Sequence, residues 1–223
     1  MHFEILIEDQ SGKKFLDILF PNIIGDGHTF KVHAYKGIGR IPKNLIPKIN
    51  ANKRLLLDHL PNLLKGYGEI YSKYPSDNRA FVIVVCDLDD KGLNSFRNEL
   101  LGLLNACSPK PETRFCFAIE EGEAWFLGDI PAVKKAYPKA RDATLSTYEN
   151  DSICGTWECL ADAIYPGGSQ ALSKKGWQAV GAEKSAWSEK ITPHMAINEN
   201  NSPSFRYFRD KVRGLLGSAE NVA

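Results

Sequence analysis

The segment Ala80–Asp90 reads Ala-Phe-Val-Ile-Val-Val-Cys-Asp-Leu-Asp-Asp, an apolar run that ends on three carboxylates. A continuous Val/Ile/Phe run without polar alternation is typical of a strand at the centre of a parallel sheet, where both faces are covered. Ligands collect at the carboxyl ends of such strands. While the chain stays extended, Asp87 and Asp89 point to the same side. We therefore predict a buried strand whose acidic end suits a hard divalent cation.

Strand and helix patterns alternate around this segment. Strands are predicted at 3–7, 29–34, 81–86 and 114–119, and helices at 13–19, 55–67, 92–107, 123–127 and 131–136. This order predicts an α/β fold with a mostly parallel, Rossmann-like sheet of about four strands and helices on both faces. After about Asp142 short helical stretches prevail. We expect an α/β core at 1–141, a helical C-terminal extension packed on it at 142–216, and a tail at 217–223.

The composition excludes few functions. The 223 residues are 43% hydrophobic, and 28 Lys plus Arg against 27 Asp plus Glu give a net charge of +1. A local basic surface remains open, because basic residues cluster at 31–53, 134–141 and 174–190. No apolar run approaches the ~18 residues of a membrane helix, and Glu4, Glu8 and Asp9 interrupt any signal peptide. We expect a cytoplasmic protein without membrane contact, whose five scattered cysteines are reduced.

Three of the predicted strands run into acidic residues, which in a parallel sheet share one edge. They are Glu8 after the first strand, Asp87 and Asp89 after the third, and Glu121 and Glu123 after the fourth. Close carboxylates repel one another unless cations neutralise them, so the pattern favours Mg²⁺ or Mn²⁺. One such ion can activate water, and two can clamp the attacking and leaving oxygens. The alternative is that these acids cap helices, and we assign that role to Asp90 and Glu120.

Other motifs carry less information. The loop Gly37-Ile-Gly-Arg40 lacks the Lys-Ser/Thr of a phosphate-binding P-loop. The five histidines show no metal-ligand spacing. The four tryptophans, Trp125, Trp157, Trp177 and Trp187, are interpreted as packing residues and not as platforms for nucleic-acid bases. Lys184 and Lys190 are candidates for a cation opposite the acidic edge.

The motifs resemble those of the Toprim domain, which occurs in topoisomerases, primases and the nucleases of the overcoming-lysogenisation-defect class. Ile5-Leu-Ile-Glu8 and Val84-Val-Cys-Asp87-Leu-Asp89 are similar to its glutamate after the first strand and its Asp-x-Asp after the third. Glu121-Gly-Glu123-Ala-Trp125-Phe-Leu127 resembles a Glu-x-Glu motif of Toprim nucleases. The chain is most similar to the Toprim-like domain of unknown function 4276, from Phe3 to about Val212.

The resemblance implies roles for these residues. Glu8 would be a metal ligand or general acid/base, Asp87 and Asp89 the primary metal ligands, and Glu121 and Glu123 helpers at a second metal. Lys184 matches a lysine near the metal site of such nucleases. One departure is Asp9, which stands where the family has glycine and adds charge where a phosphate is expected to approach.

The resulting hypothesis is a Mg²⁺- or Mn²⁺-dependent endonuclease that acts on DNA or RNA in a bacterial defence system against phage. Its expected partners are nucleic acid and a separately encoded ABC-type ATPase, since the chain has no Walker motifs. The alternative is a non-catalytic Toprim-like subunit that binds metal or nucleic acid and regulates that ATPase. Nucleotidyl transfer, as in primases, is a third reading. The oligomeric state is open, with a homo-oligomer among the alternatives.

Overall fold

The computed structural model of this chain describes residues 1–42, 54–75 and 77–220. Its strands are β1 (His2–Ile7), β2 (Thr29–Ala34), β3 (Ala80–Asp87) and β4 (Thr113–Ala118). They form one all-parallel sheet in the order β2-β1-β3-β4, flanked by helices. The predicted α/β fold is thereby confirmed.

The helices follow the predicted order with shifted bounds. They are α1 (Gln10–Ile24), α2 (Leu56–Tyr71), α3 (Leu93–Asn105), α4 (Glu123–Leu127), α5 (Ile130–Ala136), α6 (Asp142–Leu145), α7 (Thr156–Ile164), α8 (Gly168–Ser173), α9 (Trp177–Ile191) and α10 (Pro203–Glu220), with a 3-10 turn at Thr192–His194.

Burial explains the two kinds of strand pattern. Every residue of β3 from Ala80 to Cys86 is buried, as its unbroken apolar run predicts. The edge strand β2 instead alternates between buried and more exposed residues. In the register between the strands, Ile5 of β1 pairs with Val32 on one side and with Ile83 on the other. The unbroken apolar run thus matches the interior position of β3, and the alternation matches the edge position of β2.

The start of α1 and the end of α10 differ from the sequence prediction. Asp9 caps α1 by accepting a hydrogen bond from the Gly12 backbone N–H at 2.7 Å, so the helix begins before Ser11. Proline does not divide the helices, since Pro21 lies inside α1 and Pro61 inside α2. At the other end of the chain, α10 continues to Glu220, although a tail was predicted from Gly217.

Contacts among the described residues divide the chain into two compact units, whose bounds differ from a division at residue 141. The first unit comprises Met1–Lys13, Gly25–Cys86 and Lys91–Cys116. The second comprises Lys14–Ile24, Asp87–Asp90 and Phe117–Ala223. In the first unit, the rings of Phe3 and Phe81 stack at 5.5 Å between neighbouring strands.

The core of the second unit is built around Trp125. Its ring stacks on Phe208 at 5.1 Å and also contacts Phe15 and Phe205. The indole N–H donates to Ser204 Oγ at 2.9 Å, so burial leaves this donor satisfied. Trp157 and Trp187 are buried as well. The packing role expected of all four tryptophans is wrong for Trp177, whose side chain is 81% exposed.

Several smaller expectations concern the described residues. The five cysteines are free thiols, and Cys86 and Cys116 are buried. No helix in the described part of the chain is both long and apolar enough to cross a membrane. Lys43, Lys48 and Lys53 of the first basic cluster lie outside the described residues.

Candidate acidic site at the ends of strands β3 and β4

The centre of the candidate site is Lys184, which lies between two glutamates. Its Nζ is 3.0 Å from Glu123 Oε2 and 3.5 Å from Glu121 Oε2. The Glu123 side chain is only 3% exposed and that of Lys184 15%, so the ion pair is largely withdrawn from water. Glu121 and Glu123 flank Gly122 at the start of α4, whereas Lys184 comes from α9. Helix packing in the second unit therefore places a cation on the acidic segment that follows β4.

Asp87 completes this group, which we call the acidic site: Asp87, Glu121, Glu123 and Lys184. As the last residue of β3, Asp87 is only partly buried. Its Oδ1 lies 3.9 Å from the position that a Cβ would take on Gly122, so it faces the segment between the two glutamates. The charge of Asp87 also acts on Lys184. The ends of β3 and β4 thus bring three carboxylates to one ammonium.

Electrostatics distinguish the members of the acidic site. Burial acts to lower the pKa of Lys184, but the charges of Glu123, Glu121 and Asp87 outweigh it and raise that pKa above the ordinary value, so the lysine stays charged. Burial raises the pKa of Glu121 to about 7; Lys184 opposes this shift, while Glu123 and Glu158 add to it. Glu121 is therefore the carboxyl that exchanges a proton near neutral pH.

The geometry at Asp89 differs from the prediction that Asp87 and Asp89 share one side of an extended strand. β3 ends at Asp87, and Asp89 has a left-handed backbone with a φ of 50°. The ladder to the neighbouring strand continues through the backbone, because the Leu88 N–H donates to the Ala118 carbonyl at 2.9 Å. The two-residue alternation of an extended strand therefore does not apply beyond Asp87.

The two acids interpreted as helix caps behave differently. Glu120 accepts hydrogen bonds from the backbone N–H groups of Cys154, Gly155 and Thr156 and from the Thr156 hydroxyl, so it holds the start of α7. Burial acts to raise its pKa, but these hydrogen bonds lower it below the usual value. Asp90 does not cap α3, since Gly92 occupies the N-cap position of that helix.

Glu8 belongs to the first unit, whereas the acidic site consists of residues of the second. Glu8 follows β1, is 9% exposed, and accepts a hydrogen bond from the Gly37 N–H at its backbone carbonyl at 2.7 Å. The neighbouring Asp9 uses its carboxylate to cap α1. The extra charge that departs from the Toprim pattern is therefore engaged with the backbone of its own helix.

The first unit holds a second polar cluster that sequence spacing does not reveal. Glu4 of β1 accepts hydrogen bonds from His2, His33, Tyr67 and Tyr71. Burial, followed by the charge of Glu4, raises the pKa of both tyrosines. Across residues 1–42, 54–75 and 77–220, no group of three or more His, Cys, Asp or Glu side chains is arranged so that it could hold a metal ion.

One charge that acts on the acidic site was not found from the sequence. Glu158 of α7 adds to the negative potential at Glu121. No local signal marks it, because its effect on Glu121 depends on where α7 packs, and Glu120 anchors the start of that helix. Lys190, the other lysine considered, is exposed and lies over the Tyr137 ring at 5.4 Å.

Comparison of the chain with protein-family models, with curated proteins and with solved structures gave no match. The Toprim resemblance therefore rests on its short motifs.

Proposed function

We propose that the chain hydrolyses phosphodiester bonds in nucleic acid with the help of Mg²⁺ or Mn²⁺. The observation that carries the proposal is the acidic site: three carboxylates at the ends of two neighbouring parallel strands, with a buried lysine among them. The ends of parallel strands are where α/β proteins bind ligands. A divalent metal ion next to the Lys184 ammonium suits a substrate that is itself anionic.

The chemistry of the donors fits the proposed ion. Carboxylate oxygens are the hard ligands that Mg²⁺ and Mn²⁺ prefer. Three carboxylates exceed the single charge of Lys184. Burial is the main reason that the pKa of Glu121 is raised, and the charge of Glu123 adds to that shift. Because no metal-competent group stands ready among the described residues, binding requires Lys184 to withdraw from Glu121 and Glu123. Asp87, Glu121 and Glu123 are the proposed ligands, and Asp89 on the adjoining turn is the further candidate.

The bound ion would polarise a phosphate oxygen and lower the pKa of water. Side chains of the protein would stabilise charge and transfer protons. Lys184 is placed to stabilise the negative charge that develops on the phosphate. Glu121 would serve as a ligand, because a divalent cation beside it would lower the pKa that burial raises to about 7 in the absence of metal. Glu8 stays a candidate acid/base by resemblance alone.

The test is cleavage of plasmid DNA, single-stranded DNA and RNA in Mg²⁺ or Mn²⁺. Wild type is compared with Asp87→Asn and Asp89→Asn, which keep side-chain size, and with Asp90→Asn as the matched control on the same turn. We expect Asp87→Asn to lose at least ~100-fold in rate, because it removes a charged ligand, and Asp90→Asn to match wild type. If Asp87→Asn cleaves nucleic acid as fast as wild type, the proposed site is wrong.

A non-catalytic, regulatory subunit is the second candidate. It is favoured by the way Lys184 already neutralises Glu121 and Glu123 without a metal ion. Titration calorimetry with Mn²⁺ separates the two functions. One result would favour the regulatory function: the protein binds metal in a way that depends on Asp87, but it cleaves none of the substrates. The absence of cleavage would have to hold both with and without an ATPase partner. A separate ATPase and a role in phage defence are part of either proposal.

A further inference from the structure

Trp177 is the exposed member of the four tryptophans, with 81% of its side chain accessible. It is the first residue of α9, the helix that carries Lys184 into the acidic site. Most of this ring remains in contact with water, and tryptophan is enriched where proteins bind their partners. The question is which partner would cover this ring.

The position of Trp177 on α9 relates it to the acidic site. Trp177, Gly181 and Lys184 follow one another at i, i+4 and i+7, so they lie along one side of the helix. Seven residues of helix span about 10 Å. A Cβ built on Gly181 would meet no atom within 4 Å, so the surface between the ring and the lysine is open. The helix thus carries an aromatic ring, a gap and an ammonium group in line.

A second element ties the ring to the same site. Trp177 packs edge-on against Trp157 of α7, with ring centroids 6.5 Å apart. Glu120, two residues after the end of β4, anchors the start of α7, and Glu158, next to Trp157, adds to the raised pKa of Glu121. Both helices that support the ring therefore lead to the acidic site.

The charges next to Trp177 select the class of partner. Exposed Lys174 and Lys175 precede it by three and two residues in the chain, and the line of residues from Trp177 along α9 ends at Lys184. A partner that carries flat rings and negative charges at intervals of a few ångströms is a nucleic-acid strand. A base within a duplex already has neighbours on both faces, whereas an unpaired base can stack on an aromatic side chain.

Building on the proposed function, we infer that Trp177 stacks on an unpaired base of the substrate strand, a few nucleotides from the phosphate that faces Lys184. The preferred substrate is then single-stranded DNA or RNA, or an unpaired segment next to a duplex. Stacking is tolerant of base identity, so little sequence preference is expected at this position.

The test measures binding and not cleavage. Fluorescence anisotropy with labelled single-stranded DNA and RNA oligonucleotides is recorded in EDTA, where metal-dependent cleavage is absent. Trp177→Ala should weaken binding by roughly tenfold or more, because stacking contributes about 1–3 kcal/mol per base, and Trp177→Phe should retain most of the affinity. Tyr207→Ala, which removes another exposed aromatic side chain, is the matched control and should bind as wild type.

Oligonucleotides with one abasic position identify stacking directly. Wild type should lose affinity when one particular base is missing, and Trp177→Ala should be insensitive to that change. The inference is overturned if wild type binds no oligonucleotide, if Trp177→Ala binds as wild type, or if sedimentation shows that Trp177→Ala only dissociates a dimer of this chain. Binding that depends on Trp177 without cleavage in Mg²⁺ would instead refute the proposed hydrolysis and leave the stacking role in place.

Discussion

Asp89 and Glu120 join the ends of β3 and β4 through the backbone: the Asp89 N–H donates to the Glu120 carbonyl at 3.0 Å, and both residues are left-handed, with φ angles of 50° and 60°. A left-handed backbone is uncommon for residues other than glycine, and such strain clusters at functional sites. Here it turns the chain sharply after each strand. Asp87 and the Glu121–Glu123 segment consequently come together beside Lys184.

The left-handed backbone at Asp89 predicts an unusual order of substitutions. Asp89→Ala should destabilise the protein by about 1 kcal/mol, since only short polar residues and glycine adopt this conformation readily. Asp89→Asn and Asp89→Gly should have nearly the same midpoint of urea unfolding as wild type. At the neighbouring Asp90, which is exposed and not left-handed, Ala should be as stable as Gly or more so. Equal stability of Asp89→Ala and Asp89→Gly would contradict the backbone argument.

Lys184 should be essential for stability as well as for chemistry. Lys184→Met leaves the buried Glu123 and the partly exposed Glu121 without their ammonium, and we expect a loss of about 3 kcal/mol in the free energy of unfolding. Lys190→Met, at an exposed position on the same helix, should cost less than about 1 kcal/mol. Adding Glu123→Gln to Lys184→Met should recover part of the loss, because one buried charge is removed. If the double variant is no more stable than Lys184→Met, the ion pair is not the cause.

The raised pKa of Glu121 predicts a pH dependence of stability in EDTA. The folded chain holds this proton more tightly than the unfolded chain, whose ordinary value is 4.5. Its contribution is therefore complete below about pH 4.5 and is lost as the pH rises through about 7. Glu121→Gln removes this dependence. The difference in unfolding free energy, wild type minus Glu121→Gln, should fall between pH 5 and pH 8.

An exposed carboxylate provides the control for that experiment. Glu149→Gln, in the same unit, should show no such change in the difference over the same range. A constant difference for Glu121→Gln would mean that Glu121 does not titrate near pH 7.

Glu8 and Asp9 are neighbours with separable expected effects. Glu8→Gln should lower the rate of cleavage per folded molecule by ~100-fold, as expected for a general acid/base. Asp9→Ala removes the cap of α1 and should cost about 1 kcal/mol in unfolding free energy, while the rate per folded molecule stays within a few-fold of wild type. Unfolding in urea and single-turnover cleavage measure the two quantities. If Glu8→Gln cleaves at the wild-type rate, Glu8 is not a general acid/base of the reaction.

The order of strands and helices along the chain and the acidic ends of β1, β3 and β4 can be predicted from local sequence patterns. The reason is that these signals are local: an unbroken apolar run such as Ala80–Cys86 reports burial on both faces, and alternation in Thr29–Ala34 reports an edge. The geometry of the turn after β3 could not be predicted in this way, since nothing in Asp87-Leu88-Asp89 specifies a left-handed backbone at Asp89.

The surroundings of those carboxylates depend instead on how distant segments of the chain pack. Lys184 meets Glu121 and Glu123 because α9 packs within the second unit, and Glu158 acts on Glu121 because Glu120 anchors α7. The exposure of Trp177 could not be predicted from the sequence either, because a tryptophan in a short helical pattern is interpreted as a core residue until its neighbours are known. Charges and rings act through space, so their partners depend on how distant segments pack and not on the pattern around each residue.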